Sequence, residues 1–399
     1  MEVAVCLFAE IADCLGLIPP ARLPVLKSMQ ELNAPKRTNR PMKRTALYDA
    51  HRRHGGRMVE FAGWEMPVQY AGIIEETRAV RQRWGIFDVS HMARAYFQGA
   101  HTSEYLSKLV PSDLTKVADG IGQYTVLTNE QGGVVDDIIL YRLEPQRWLV
   151  VFNAANREKD LAWFHRWRPE FGTDVTIDDQ TEQTVMVAVQ GPEAVARLST
   201  LMGANLSAVP RFGIAQVDFQ GTALWAGRTG YTGEDGFELI APAELGEILW
   251  EALVEAGATP CGLGARDVLR VEAGLHLYGH ELTDETNPIE AGLNWLVSER
   301  TDYIGAEIIQ QVKQSGPQRK LMGVVLQERG VPREGYPVMI EGDAVGMLTS
   351  GVYSPTLEKG IGMAYIPASS AKAGMPCAVE IRGRAVPATL STRRFLKQA

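Results

Sequence analysis

An α+β body followed by a small C-terminal β-barrel is the fold class this sequence predicts, on three observations. Helical periodicities alternate with strand-like runs from Thr45 to about residue 313. A Gln-Ser-Gly-Pro-Gln stretch at 314–318 reads as a linker. Beyond it only short β-rich pieces remain, separated by glycine and proline turns, as in a small barrel or sandwich. The 399 residues suffice for two or three domains with sizeable cores, and 45% hydrophobic against 22% charged residues is a globular balance rather than a disordered one.

The elements follow in order. The apolar run from Val3 to Ala9 is flanked by Glu2, Glu10 and Asp13, which neither a secretory leader nor a transit peptide would carry, and it is too short to span a bilayer. Residues 1–43 read as a poorly ordered extension or, since Met42 directly precedes the recognisable body, as a start-site artefact. Ile73, Thr77, Val80 and Trp84 fall on one face of a helix over 73–84. Residues 102–110 and 191–203 are further helices, the second started by Gln190-Gly191-Pro192. A fourth amphipathic helix spans 244–256 and stops at Gly257. The clearest strand runs from Val134 to Tyr141 after the Gly132-Gly133 turn and is followed, across Glu144-Pro145-Gln146, by Trp148 to Phe152. A second hairpin joins Ala223–Arg228 to Gly236–Ile240. The barrel pieces are 321–327, 337–340, 345–350, 361–365 and 377–382. The domains are then the extension at 1–43, a body of two intertwined α+β subdomains at 44–313, and the barrel at 320–399.

Several chemistries are excluded. A net charge of -8 argues against a general nucleic-acid binder, which needs excess Lys and Arg to displace counterions. Cys6, Cys14, Cys261 and Cys377 form no C-x-x-C pair and suit a reducing compartment: the cytoplasm, or the mitochondrial matrix in a eukaryote. There is no nucleophile elbow, Walker A sequence or H-E-x-x-H. Gly262-Leu263-Gly264 begins like a dinucleotide loop, but Asp267 would face the pyrophosphate. His276 and His280 are four apart without a third ligand in view, so no metal site is expected.

Other constellations remain open. In the 134–141 strand, alternation turns Asp136 and Asp137 to opposite faces, which is not how two carboxyls share a proton. A three-residue turn at 144–146 sets Asp137 opposite Asn153, predicting a cluster of Asp137, Tyr141 and Asn153 suited to a small polar heterocycle. Asp137 could equally cap a turn or pair with an arginine. The glycine-rich turn at 230–236 brings backbone close to something, or is a long hairpin connection. Arg266 and Arg270 share a helix face and suit a carboxylate-bearing ligand, or else structural pairs with Asp267 or Glu272.

These residues carry a resemblance. Phe61-Ala62-Gly63-Trp64-Glu65-Met66-Pro67-Val68-Gln69-Tyr70, Phe87-Asp88-Val89-Ser90-His91-Met92 and Gly132-Gly133-Val134-Val135-Asp136-Asp137 are followed by three more motifs. Those are Gly230-Tyr231-Thr232-Gly233-Glu234-Asp235-Gly236, Gly262-Leu263-Gly264-Ala265-Arg266-Asp267 and Thr349-Ser350-Gly351. In that order, over about Thr45 to Phe395, the chain closely resembles the glycine cleavage T-protein family. The resemblance implies a three-domain, cloverleaf-like molecule that is an aminomethyltransferase, with tetrahydrofolate as co-substrate in a central channel and no metal. It implies a lipoylated H-protein as partner, whose arm delivers an S-aminomethyl group, with methylenetetrahydrofolate, ammonia and the dihydrolipoyl carrier as products. By motif matching the key aspartate falls on Asp137, with pterin or channel contacts on Met92, Tyr124, Tyr141, Asn153, Tyr231 and Glu238. Arg270 matches an arginine near the glutamate tail of folate. If the carrier is acidic, a basic rim follows, with Arg52, Arg53 and Arg57 as candidates. The competing readings are a folate-dependent demethylase taking its one-carbon unit from another small donor, and a non-catalytic folate-binding protein. The Lys-Gly-Cys-x-x-Gly-Gln motif of the latter is missing from the sequence.

Overall fold

Three sheets organise the chain in this computed structural model, which describes residues 42–396. Of the extension expected at 1–43, residues 1–41 lie outside the described residues, as do Cys6 and Cys14, whereas Lys43 already belongs to a short strand paired with Trp64. The first large sheet has six strands in the order Ile214–Phe219, Thr222–Gly227, Gly236–Pro242, Thr184–Gln190, Gly85–Asp88, Thr259–Pro260. The second has five antiparallel strands: Ile121–Thr128, Val134–Glu144, Arg147–Phe152, Ala93–Gln98, Thr176–Asp179. The chain enters the six-stranded sheet at Gly85–Asp88, leaves it to build the five-stranded sheet, and returns at Thr184–Gln190. A short sheet of Lys43–Arg44, Trp64–Gln69 and Arg57–Phe61 precedes both.

The third large sheet is the expected barrel, closed by six strands where the sequence showed five pieces. The additional strand, Arg384–Ser391, pairs antiparallel with both Pro376–Ile381 and Arg319–Leu326, so no edge is left unpaired.

The expected helices form at Ile73–Gln82, Thr102–Leu109, Ala194–Met202 and Gly246–Glu255, each with its apolar face against a sheet. Arg157–Phe171 and Ala306–Ser315 are helices that the periodicity did not reveal. Arg157–Phe171 opens with four consecutive charged or polar-headed residues and contains Pro169, so no clean apolar stripe marks it. Cys261 is buried, its thiol pushed well up by burial and by the Glu76 charge; it is a core residue rather than a nucleophile.

Each large sheet owns a core, and smaller cores join them in pairs. Leu149 and Val151 of the five-stranded sheet pack with Met186, Ala188 and Ile240 of the six-stranded one. Val126 and Val134 pack with Leu321, Met363 and Tyr365 of the barrel, while Val268 and Val271 of helix Leu263–Ala273 meet Val352 and Ile361. The three lobes therefore touch one another in every pairing, the cloverleaf-like arrangement that the family resemblance implied.

Candidate functional site

The Val134–Glu144 strand supplies the centre of the site. The hairpin closes on a two-residue turn with Glu144 opposite Arg147, and a bulge at Leu143 restores the register expected from a three-residue turn. Leu140 then faces Val150 and Ile139 faces Val151, which projects Asp137 towards Asn153. The ladder ends at Phe152, and the Asn153 side chain donates to Asp137 Oδ1 at 2.8 Å. Tyr124, on the opposite neighbouring strand, donates its hydroxyl to Asp137 Oδ2 at 3.0 Å.

Strict alternation fails at the adjacent residue. The register with strand Ile121–Thr128 slips so that Leu127 faces Asp136 while Thr128 faces Val134, leaving Val135 as the extra residue. Asp136 thereby reaches Asn153 as well: Asn153 Nδ2 donates to Asp136 Oδ1 at 2.9 Å, and its backbone N–H donates to Asp136 Oδ2 at 3.0 Å. Asn153 is thus clasped between two carboxylates that the sequence pattern had sent apart.

Electrostatics follow from burial. Asp137 is raised above the usual carboxylate range, first by burial and then by the Asp136 charge, against the Tyr124 and Asn153 hydrogen bonds. Tyr124 is pushed well up by burial and by Asp137, so it remains a donor. Tyr124 stacks at 6.2 Å on Trp295, a largely exposed ring.

A second polar group comes from the six-stranded lobe. Tyr141 donates its hydroxyl at 2.6 Å to Thr229, whose own hydroxyl donates to Glu238 at 2.6 Å. Tyr141 therefore joins Glu238 rather than Asp137, and the Asp137–Tyr141–Asn153 cluster divides into two linked centres. The ring of Tyr141 lies against Gly122 and Gly227, where a Cβ would come within 2.6 Å and 2.7 Å of it. Glu238 is raised by burial, opposed by Thr229 and by the Arg266 charge. The 230–236 turn passes directly over strand Thr184–Gln190: a Cβ on Gly230 would stand 1.9 Å from Gln190 Oε1. This presents Tyr231, which donates to the His276 carbonyl and feels the charges of Arg270, Asp137 and Arg266.

The two arginines separate. Arg270 is almost fully buried, with Nε on Asp267 at 2.9 Å, Nη1 on Glu281 at 2.8 Å and Nη2 on Ser350 at 2.7 Å. Little of its guanidinium is left for a ligand. Arg266, one turn earlier, lies 4.7 Å over the Tyr231 ring, and among the described residues its buried Nη1 has no hydrogen-bond partner. Such an orphan is costly unless something polar completes it, so of the two arginines it is Arg266 that has donor capacity to spare for a ligand, a choice that spacing alone could not make.

Met92 is half-buried at the edge of the joint core, and its carbonyl accepts from Arg94. The fully buried Arg94 also donates to the carbonyls of Ser90, Thr181 and Thr184, fixing this loop. His91 beside it is lowered to about 3 by burial, so it stays neutral. His276 and His280 turn to the carbonyls of Ala291 and Thr349. Among the described residues no three His, Cys, Asp or Glu stand together as metal ligands, and no helix is long and apolar enough to cross a membrane.

Comparison with known proteins gives one consistent picture. Residues 47–301 match the family described as GCVT N-terminal domain, and residues 319–397 match the glycine cleavage T-protein C-terminal barrel domain. An aminomethyltransferase from Synechococcus sp. (strain CC9902) is 47% identical over 366 residues, covering 90% of this chain and 100% of the relative. One from Herpetosiphon aurantiacus is 45% identical, covering 89% and 99%. The crystal structure of glycine cleavage system aminomethyltransferase T from Bartonella henselae superposes with a TM-score of 0.84 at 32% identity, covering 90% of this chain and 99% of that one.

Proposed function

The chain belongs to the glycine cleavage T-protein family and is an aminomethyltransferase, and from that premise we propose which residues hold the co-substrate and assist the transfer. The co-substrate is tetrahydrofolate, and the donor is the S-aminomethyl-dihydrolipoyl arm of an H-protein.

Two carboxylates on facing lobes, each backed by hydroxyl donors, and one unsatisfied guanidinium suit a flat heterocycle with donors on one edge and acceptors on the other. Glu238 accepts from the amino edge of the pterin, Arg266 meets its oxygen or the adjoining carbonyl, and Tyr231 and Met92 flank the ring. Tyr141 and Thr229 hold Glu238 in place. Arg270 serves the contact between body and barrel rather than the glutamate tail. When bound, tetrahydrofolate supplies the nucleophilic nitrogens.

Asp137 has the central task. Its carboxylate, held by Tyr124 and Asn153, faces the carbon that becomes electron-poor as ammonia leaves the donor. A fixed charge in a site shielded from water stabilises that developing positive charge without reorganisation. Asn153 and Tyr124 keep the carboxylate aimed, so positioning and charge together lower the barrier. The observation that carries this reading is the Tyr124–Asp137–Asn153 triad, a raised carboxyl at the meeting of the lobes.

The exposed Arg52 and Arg57 are the better candidates for an acidic carrier surface, because Arg53 already pairs with Glu247 and Glu251. A cytoplasmic setting fits the reaction. The test is formation of methylenetetrahydrofolate from tetrahydrofolate and aminomethylated H-protein, with Asp137→Ala alongside. Turnover lost in the variant supports the donor, the acceptor and the residue. Tight folate binding with no turnover on a verified carrier would replace the donor by another small one-carbon compound.

A further inference from the structure

Behind Asn153 stands a buried carboxyl to which the reaction gives no obvious task. Asp160, in the first turn of helix Arg157–Phe171, is wholly buried, and among the described residues none donates a hydrogen bond to either of its oxygens. It stands one turn along the helix from Asn156, whose side chain donates to Asp136, and so faces that carboxylate. We propose that Asp160 is a protonated carboxylic acid which donates to Asp136 and so locks Asn153, and through it Asp137, in the geometry that the transfer uses. It is a positioning residue, and the inference rests on Asp137 being the working carboxylate.

The acceptor count on Asp136 supports this. Asp136 Oδ1 takes the side-chain N–H of Asn153 at 2.9 Å and of Asn156 at 2.6 Å, and Oδ2 takes the Asn153 backbone N–H at 3.0 Å. An ionised carboxylate has roughly four lone-pair sites, so three donors identify Asp136 as the charged partner and leave about one site for an O–H. Asn153 Nδ2 divides its two hydrogens between Asp136 Oδ1 and Asp137, whose Oδ1 accepts at 2.8 Å and whose carbonyl lies at 3.3 Å. If Asp136 turned away, that amide would turn with it, and Asp137 would lose one of its two aiming contacts.

Among the described residues no cation forms an ion pair with Asp160. The groups facing Asp160 are Asp136 and Asp137 from the strand, Lys159 from its own helix, and Tyr278 from the loop beyond. Lys159 points elsewhere: its ammonium donates to the Val135 carbonyl and the Tyr278 hydroxyl, each at 2.6 Å. The helix N-terminus favours an anion by less than about tenfold. Removing a second carboxylate from water beside an existing one opposes ionisation far more strongly. Burial and the Asp136 charge accordingly push Asp160 up to about 11.

Three readings test the proposal, two of them without turnover. The infrared spectrum of the wild-type protein at mildly alkaline pH should contain the carbonyl band of a protonated carboxylic acid, absent from Asp160→Asn. Linkage supplies the second. A carboxyl raised in the folded state makes stability fall as pH rises from its unfolded value of about 3.9 towards the folded one. The Tm advantage of Asp160→Asn over wild type should therefore grow between about pH 5 and about pH 8. Third, Asp160→Asn keeps an N–H donor and should keep most of kcat. Asp160→Ala should lose about tenfold, the rate equivalent of one charge-assisted hydrogen bond, with a smaller change in folate KM. An unchanged band and a pH-independent Tm difference would overturn the proton, and wild-type kcat in Asp160→Ala would overturn the positioning. A collapse of kcat in Asp160→Asn equal to that in Asp160→Ala would show that a donor at this position is not what matters. Failure of the Asp137 reading would instead appear as unchanged kcat in Asp137→Asn, with the band and the Tm trend intact.

Discussion

Burial and the Asp136 charge push the Asp137 carboxyl up while Tyr124 and Asn153 hold it down, so its ionised form is kept at a thermodynamic cost. A carboxyl raised on folding stabilises the protein while protonated and loses that contribution as pH rises. Asp137→Asn should therefore raise Tm near pH 8 and lower kcat more than it raises folate KM, the opposition expected of a strained working group. In the wild type, kcat should decline on acidification through a value well above the ordinary carboxylate pKa of about 4. Unchanged kcat in the variant would remove Asp137 from the mechanism. The arginines divide at the same scale. Arg266→Ala should weaken folate binding with little loss of Tm. Arg270→Ala strands the buried Glu281 without its cation and should cost roughly 3–5 kcal/mol of stability. A reversed pattern in folate titration and thermal melts would exchange their roles.

At the scale of elements, the site depends on strands that approach closely enough to trap Tyr141 between two glycines. A methyl at Gly227 would meet the Tyr141 hydroxyl at 2.7 Å and drive it from Thr229, releasing Glu238. Gly227→Ala should cost about 1–3 kcal/mol by overpacking and raise the folate Kd, whereas the same change at Gly203, with open space around it, should leave folate binding alone. An unaltered folate Kd in Gly227→Ala would separate Tyr141 from the ligand. This scale also shows what the sequence could and could not say. The meeting of Asp137 with Asn153 was legible because period-two alternation and a tight turn fix hairpin register, and the bulge at Leu143 offset the one-residue error in turn length. The approach of Asp136 to the same asparagine was not legible, since it depends on the slip at Val135. Helix Arg157–Phe171, and with it Asp160, was hidden by charged residues and a proline. Tyr124, Tyr231, Glu238 and Met92 came from resemblance, because no spacing rule brings residues so distant in sequence to one place. What occupies Arg270, and so favours Arg266 in the proposed site, includes Glu281 and Ser350, the latter a barrel residue that no local pattern connects to either arginine.

Across the whole molecule, the barrel is bound to the body by a buried polar node as well as by apolar contact. Arg270 and Glu281 meet Ser350, Thr349 donates to Glu281 at 2.6 Å, and the Tyr365 hydroxyl donates to the Glu281 carbonyl at 2.7 Å. Body and barrel should then unfold together, with calorimetric and van't Hoff enthalpies in agreement. Two resolved transitions would show that the node does not couple them. The tail after the last barrel strand adds an unusual tie. Arg393 donates to the carbonyl of Gly274 at 2.6 Å and to that of Gly292, and Gly274 ends the helix that carries Arg266. Synthesis runs from the N-terminus, so the ribosome makes every residue proposed to face the ligand before it makes the residue that ties down this helix. A nascent chain thus carries the proposed site in composition before Arg393 can hold the end of the helix that bears part of it.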